Sequence, residues 1–422
     1  MSSLQADHIR GRRSQSHMTT PIGCEFLRQS KDSFWIFECE IWLKNRRGVK
    51  STTRVAIVAL PLIATPYSLP IQISSQIRLQ GYLHKGLDFW KGDLRFMSSL
   101  PRSINLVEVG PREGFQFEGI GDAGRISTGG KVRLVDALSE TGLKNIQVIS
   151  FVNPKAVPQV ADAEEVAKRF KRKPGVVYTS VYMNVKGFER ALNTGKLDME
   201  GHIYLTASET FSKRNTNRTL EEELLAQRQV IQLHKVKGIP ITGGSILTAF
   251  GCNFEGDISL QKVITRIKTI LELAHEYDFS LKYLQLADTM GWANPAQIKR
   301  CVGEIQDSWP DLRVGLHLHD TRGTGLANVY AGLEMGVTDF DSSVGGLGGC
   351  PFAAHRGAAG NVCTEDIVFM CAEMGIETGV DLDIIIDCAL LAENIVGHPL
   401  PGKIKKGGSL DKLRNKILNK GS

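Results

Sequence analysis

Several things this chain lacks are as informative as what it contains. Its eight cysteines, at 24, 39, 252, 301, 350, 363, 371 and 388, include no CxxC pair, and no secretory apolar segment stands near the start. No disulfide framework is therefore expected, and the thiols read as free in a reducing compartment. The longest apolar run, Val55 to Tyr67, is broken by Pro61 and Pro66. It is shorter than the ~20 residues that a membrane span requires. A large excess of one charge is also missing: the net charge is +6, and residues 403–422 account for it with seven Lys/Arg against Asp411 alone. A basic tail on a neutral body reads as a solvated helical end, so neither nucleic acid nor a membrane is expected as a partner. Arg10, Arg12 and Arg13 among serines faintly resemble a transit peptide, and the Lys-Gly-Ser ending is not a peroxisomal signal. The compartment stays open between cytoplasm and mitochondrion.

Residues 1–99 also lack any repeating strand–helix pattern. They read as an irregular N-terminal extension, poorly ordered or loosely packed. From residue 104 the chain becomes regular. Strand-like apolar runs recur at 104–109, 146–150, 176–181, 202–206, 239–247, 283–287, 313–318 and 337–342. Helical patterns follow at 130–141, 162–172, 186–194, 219–236, 258–276, 295–307, 324–335 and 364–374. Such alternation calls for parallel strands with crossover helices. Eight units in roughly 270 residues fit a closed (β/α)8 TIM barrel. An open doubly wound sheet would carry a glycine fingerprint after its first strand. The chain has Gly110-Pro111-Arg112-Glu113-Gly114 there instead. The expected domains are the extension (1–99), the barrel (100–400) and a short helical basic tail (401–422).

A barrel of this kind places its active site at the C-terminal ends of the strands. Arg112 and Glu113 follow strand 1. His317 and His319 end strand 7. Cys350, on the glycine-dense loop Gly345-Gly346-Leu347-Gly348-Gly349-Cys350-Pro351, and Asn361 follow strand 8. These strands are neighbours once the barrel closes, so residues some 200 positions apart converge on one mouth. The two imidazoles project from one face because strand residues i and i+2 do. Taken alone, His-x-His reads as a structural pair and a single cysteine as an inert small apolar group. Their convergence points to chemistry. Two imidazoles, a carboxylate and an amide carbonyl suit Mg²⁺ or Mn²⁺ in an open site better than structural zinc. Arg112 offers a cationic fork for an oxyanion or enolate, and Cys350 a proton donor or acceptor. The set suits making or breaking a carbon–carbon bond beside a carbonyl. Elsewhere Asp288 reads as a helix N-cap or a support for the site, Cys252 as a rim residue, and Trp292, Trp309, Cys363 and Cys371 as packing.

Residues 104–375 resemble the 3-hydroxy-3-methylglutaryl-CoA lyase family, among the metal-dependent barrel lyases and Claisen-type synthases. The likeness runs through Val107-Glu108-Val109-Gly110-Pro111-Arg112-Glu113-Gly114, Ser150-Phe151-Val152-Asn153-Pro154-Lys155, Ala207-Ser208-Glu209, His317-Leu318-His319-Asp320-Thr321, Asp341-Ser342-Ser343-Val344 and Gly346-Leu347-Gly348-Gly349-Cys350-Pro351. The resemblance implies a retro-Claisen cleavage of an acyl-CoA, with metal ligands at Glu113, His317, His319 and Asn361, an enolate-stabilising arginine at Arg112 and a loop cysteine at Cys350. An acyl-CoA and a second copy of the chain are the expected partners. There are departures. Glu113 stands where the family carries Asp, moving the carboxylate by ~1.5 Å. Gln147 stands where it carries Glu. The Cys350–Asn361 loop is two residues longer and adds His355 and Arg356. Citramalyl-CoA, giving acetyl-CoA and pyruvate, is an alternative substrate. A Claisen-type synthase is disfavoured because Asp320-Thr321 follows His319 where synthases carry Asn-Asp. It is also disfavoured by the ~48 residues after the last helix, fewer than a regulatory domain needs. A barrel that binds without turnover is the non-enzymatic alternative.

Overall fold

In the computed structural model the described residues are 23–29, 35–44, 50–59, 100–118, 126–348 and 360–418. The chain divides into two compact units, Met1–His84 and Lys85–Ser422. The described part of the first is an antiparallel sheet of β1 (Gly23–Gln29), β2 (Trp35–Lys44) and β3 (Lys50–Ala59), in that order. No strand is expected here from the sequence, which carries no strand–helix repeat before residue 104. The signals for a meander were present, in the Phe37-Glu38-Cys39-Glu40-Ile41 alternation and the β-branched run of β3.

The second unit holds eight parallel strands: β4 (Asn105–Glu108), β5 (Asn145–Ser150), β6 (Val177–Val181), β7 (Gly201–Thr206), β8 (Ile241–Leu247), β11 (Tyr283–Ala287), β12 (Arg313–His317) and β13 (Asp339–Ser342). A ribbon of β9 (Gly251–Cys252) and β10 (Gly256–Asp257) leaves the end of β8. The sheet order is β6-β5-β4-β13-β12-β11-β8-β7, so the first and last strands of the unit pair, with Asp341 opposite Val107 and Ser342 opposite Glu108. The two ends of this curled sheet meet through Asp198. Its N–H donates to Tyr178 O, and its carboxylate accepts from Tyr178 N–H, each at 2.8 Å. All eight expected strands are present, with ends displaced by up to two residues.

Eight helices answer the eight expected ones: α2 (Thr128–Ser139), α3 (Ala163–Arg169), α4 (Val185–Asn193), α6 (Leu220–Lys237), α7 (Leu260–His275), α8 (Pro295–Ser308), α9 (Gly325–Glu334) and α10 (Thr364–Glu373). Their starts follow local chemistry. Thr219 with Glu222, and Asn294 with Gln297, form reciprocal capping boxes, and Pro295 occupies the first turn of α8. The helical tail expected over 401–422 is present as α12 (Ile404–Gly407) and α13 (Leu410–Leu418), whereas α1 (Phe115–Phe117), α5 (Glu209–Thr216) and α11 (Leu382–Val396) were not read from the sequence. The apolar layer lies between strands and helices, where Ile146, Leu284, Leu316 and Phe340 are buried with Leu134, Ile267, Val302 and Val329. The inward positions are polar, among them Gln285, His317 and Asp341.

One buried group ties the mouth together. The Glu108 carboxylate accepts from Gly110 N–H (2.8 Å), Val344 N–H (3.0 Å) and the Thr364 hydroxyl (2.6 Å). It thereby joins the ends of β4 and β13 to the start of α10. Behind it the strap Leu400–Lys405 crosses the same turn. Gly345 N–H donates to Glu365 (2.9 Å), Gly402 N–H to Gly345 O (3.1 Å), and Lys403 and Ile404 N–H to Asp366. Burial raises the Glu108 pKa to about 7, against the pull of these donors. An acid whose folded pKa exceeds its unfolded value loses stability as pH rises between the two. Here the window runs from about 4.5 to about 7. The difference corresponds to roughly 3 kcal/mol. Urea unfolding of the wild type and Glu108→Gln across this window should show the wild type losing roughly that much relative to the variant as pH rises. Parallel curves would place the proton elsewhere.

Candidate metal centre and active site

The chain leaves β4 in a π-turn, Gly110–Gly114, in which Arg112 N–H (3.1 Å) and Glu113 N–H (2.7 Å) both donate to Val109 O. Such wide turns redirect side chains at functional sites. Gly114 is required because a Cβ there would lie 2.6 Å from Leu347 Cβ. Gly348, at φ +103°, would place a Cβ 2.7 Å from Asn361 Nδ2. These two glycines let the turn, the segment after β13 and Asn361 close on one another.

Glu113 meets His319, 206 residues away in sequence, and its neighbour His317. Its Oε1 lies 3.1 Å from His319 Nε2 and 3.5 Å from His317 Nε2, and the two Nε2 atoms are 3.2 Å apart. Among the described residues this is the one cluster of three or more His, Cys, Asp or Glu side chains whose ligand atoms lie within 4.8 Å of one another. Asp341, to which the sequence alone assigns no role, fixes His317. Nδ1–H donates to Asp341 Oδ2 (2.9 Å), which also accepts from Gln285 Nε2 (2.9 Å). The Nε2 of His317 is thus turned towards Glu113 and His319, the orientation a ligating imidazole requires. The signal was available: Asp341 shares an inward parity with His317 and stands opposite it in the β12–β13 register. Burial opposes charge on His317, but Glu113 and Asp341 outweigh it and push its pKa up to about 10. Burial likewise opposes charge on Glu113, and the His317 and Arg112 charges hold its carboxyl well below the ordinary range.

Arg112 is held on two sides, by Gln147 Oε1 at Nε (2.8 Å) and by Glu113 Oε2 at one terminal nitrogen (2.8 Å). Gln147 therefore acts as a neutral clamp for the guanidinium, and Glu113 serves arginine and histidines with its two oxygens. Asn361 pairs through its backbone with His319 and gives its Nδ2 to Leu347 O (3.2 Å). Its buried Oδ1 has no partner, and a dication would supply one. Two imidazole nitrogens, a carboxylate oxygen and this carbonyl fit a divalent ion. Asp288 does not cap α8, whose N-cap is Asn294. Its Oδ1 accepts from Trp292 N–H (2.7 Å), while the buried Oδ2 is unpartnered. Burial raises its pKa against the pull of the two histidines.

Cys350, His355 and Arg356 lie outside the described residues. Cys252 is buried in the ribbon and accepts from the Ser208 hydroxyl (3.1 Å). Cys363 and Cys371 are buried and free, Trp309 packs on the core, and Trp292 does so while its Nε1 donates to Asn253 (2.7 Å). Thr248, just past β8, holds a left-handed φ of +54°, unfavourable for a β-branched residue. It is fixed by hydrogen bonds with Thr206, Ser208 and Thr289. This hydroxyl cluster was not legible in the sequence, where isolated threonines carry no signal.

Residues 103–391 match the HMGL-like family. Hydroxymethylglutaryl-CoA lyase YngG of Bacillus subtilis is 39% identical over 303 residues, covering 72% of this chain and 96% of that protein. The mitochondrial hydroxymethylglutaryl-CoA lyase of Gallus gallus is 38% identical over 73% of this chain and 98% of its own length, and a mouse relative at 38% is named as cytoplasmic. Among solved structures, an HMG-CoA lyase from Acinetobacter baumannii, in complex with coenzyme A and 3-methylmalate, superposes with a TM-score of 0.65 at 36% identity. It covers 73% of this chain and 96% of that one. With the barrel, the Glu-His-His cluster and the clamped arginine in place, these similarities lead to one conclusion: the chain belongs to the HMGL-like family, as a member of its 3-hydroxy-3-methylglutaryl-CoA lyases.

Proposed function

We propose that this protein cleaves 3-hydroxy-3-methylglutaryl-CoA to acetyl-CoA and acetoacetate in a metal-dependent retro-Claisen reaction. The observation that carries the reading is the meeting of Glu113, His317 and His319 beside a clamped Arg112 at the C-terminal mouth of the barrel. Glu113, His317, His319 and Asn361 would hold the ion, Mg²⁺ or Mn²⁺. A dication bound there supplies Lewis acidity that polarises the substrate oxygens.

The remaining work falls to the chain. A base removes the proton of the tertiary hydroxyl, the C2–C3 bond breaks, C3 becomes the ketone of acetoacetate, and the electron pair passes to C2 as the enolate of acetyl-CoA. Arg112, unable to rotate between Gln147 and Glu113, stabilises the charge developing on the thioester oxygen. Cys350 delivers or relays the proton that completes acetyl-CoA. No helix among the described residues is long and apolar enough to cross a membrane. The enzyme works as a homodimer in the cytoplasm or the mitochondrion, the two locations named among its relatives.

Purified protein with Mg²⁺ or Mn²⁺ should release acetyl-CoA and acetoacetate from 3-hydroxy-3-methylglutaryl-CoA, lose activity on chelation and regain it with the ion. His317→Ala and Cys350→Ala should abolish turnover. Pyruvate release from citramalyl-CoA, with no acetoacetate from the first substrate, would reassign the acyl group. Arg112→Gln should lower kcat by about 10²–10³ with a smaller change in KM. Asp341→Asn, which touches no reacting atom, should weaken Mn²⁺ binding in calorimetry by about 10–100-fold. An unchanged affinity would show that Asp341 does not orient His317.

A further inference from the structure

Beneath the metal cluster the barrel interior is lined by a row of three polar side chains. Ile203 and Leu205 lie in the apolar layer, so His202, Tyr204 and Thr206 of β7 point inward. Tyr204 stands in register with Ser245 on β8, and Ser245 with Gln285 on β11. Two of the three are committed. The Ser245 hydroxyl donates to Gln285 Oε1 (3.3 Å), and Gln285 Nε2 donates to Asp341, which holds His317 from behind (2.9 Å). The Tyr204 hydroxyl makes no hydrogen bond among the described residues, and the side chain is only half-buried. It borders a cavity at the C-terminal ends of β6, β7 and β8, with Met183, Thr206, Leu247 and the start of α6 around it. The backbone beneath the ring is fixed: Tyr204 N–H donates to Gln227 Oε1 (3.3 Å), in place of the ladder that β7 lacks at the end of the sheet. Below Tyr204 lies His202, with ring centroids 6.1 Å apart, and then Tyr283, 5.8 Å from His202. The Tyr283 hydroxyl fills the space that Gly315 leaves. His202 and Tyr283 plug the bottom of the barrel, and Tyr204 stands on the floor above them.

We propose that Tyr204 binds substrate, its phenol donating a hydrogen bond to the free carboxylate at the far end of the acyl group, the half that leaves as the keto acid. This rests on the lyase reading and adds the residue that recognises the acid end. Coenzyme A is too large for the interior of an eight-stranded barrel, so the thioester lies at the mouth and the acyl chain runs inward. The aromatic plug stops the chain at the level of Tyr204. Burial pushes the Tyr204 pKa up to about 12, so the phenol keeps its proton and acts as a donor. Arg112 and Asp341 both lie near enough for their charges to act on it. The arginine favours an anion on this side, while Asp341 already accepts from His317 and Gln285. An acyl group with an apolar end would cover the hydroxyl and leave it without a partner, which a carboxylate does not.

Calorimetry on the Mg²⁺-loaded full chain with two unreactive thioesters tests it. Glutaryl-CoA carries the carboxylate but lacks the 3-hydroxyl that cleavage needs, and butyryl-CoA is the same chain without the carboxylate. The wild type should bind glutaryl-CoA at least about tenfold more tightly than butyryl-CoA. Tyr204→Phe, which removes one oxygen and keeps the ring, should lose about tenfold or more on glutaryl-CoA and nothing on butyryl-CoA. Its KM for 3-hydroxy-3-methylglutaryl-CoA should rise by a similar factor with kcat little changed. Unchanged affinities in the variant overturn the assignment, and equal losses on both thioesters make Tyr204 a packing residue only. A fall in kcat at constant KM puts the hydroxyl on the enolate and overturns it too. A wild type that cleaves 3-hydroxy-3-methylglutaryl-CoA but shows no preference for glutaryl-CoA sinks the Tyr204 assignment and leaves the lyase reading standing. A Tyr204-dependent preference for glutaryl-CoA without any cleavage does the reverse.

Discussion

The mouth of this barrel depends on a carboxylate that never reaches solvent. Glu108 is fully buried, and its hydrogen bonds reach Gly110, Val344 and Thr364 on three separate segments. Each segment then delivers part of the site: the π-turn with Arg112 and Glu113, the glycine turn after β13, and the stretch from Asn361 into α10. A buried acceptor with several convergent donors is directional in a way that apolar packing is not. It fixes where the loops start, and an apolar residue of the same size would leave the Val344 and Gly110 N–H groups without partners.

The site itself is economical in charge. Glu113 divides its two oxygens between Arg112 and the histidines, so one carboxylate neutralises a cationic fork and faces both imidazole Nε2 atoms. Gln147 completes the arginine's clamp without adding a second negative charge. The longer arm of Glu113 and the neutral amide of Gln147 therefore belong to one arrangement. Asp341 and Gln285 continue it inward, holding His317 from behind.

How much of this was legible depended on whether a feature is local or relational. Eight strands and eight helices announce themselves through apolar runs, periodicity and caps such as Thr219 and Asn294, all local signals. The convergence of Arg112, Glu113, His317 and His319 followed from topology, because closure makes the first and last strands neighbours. Asp341 was missed because an acid inside a strand has meaning only once the register with His317 is known. The Thr206–Thr248–Thr289 cluster and the strained backbone of Thr248 likewise exist only in three dimensions. The meander of β1 to β3 was hidden for a different reason, since its alternation is imperfect and stood beside a much stronger pattern.

Pairing β4 with β13 has a consequence for the order of events during synthesis. Glu108 leaves the ribosome 256 residues before Thr364, the donor of its shortest hydrogen bond. Until β13 and α10 follow, the growing sheet has an open edge at β4, and only Gly110 of the carboxylate's three partners is in place. The nascent barrel is a seam waiting to be zipped, and contacts of such long sequence separation form late and slowly. The protein is thus exposed to misassembly through most of its translation, and the same late step that closes the sheet assembles the chemistry.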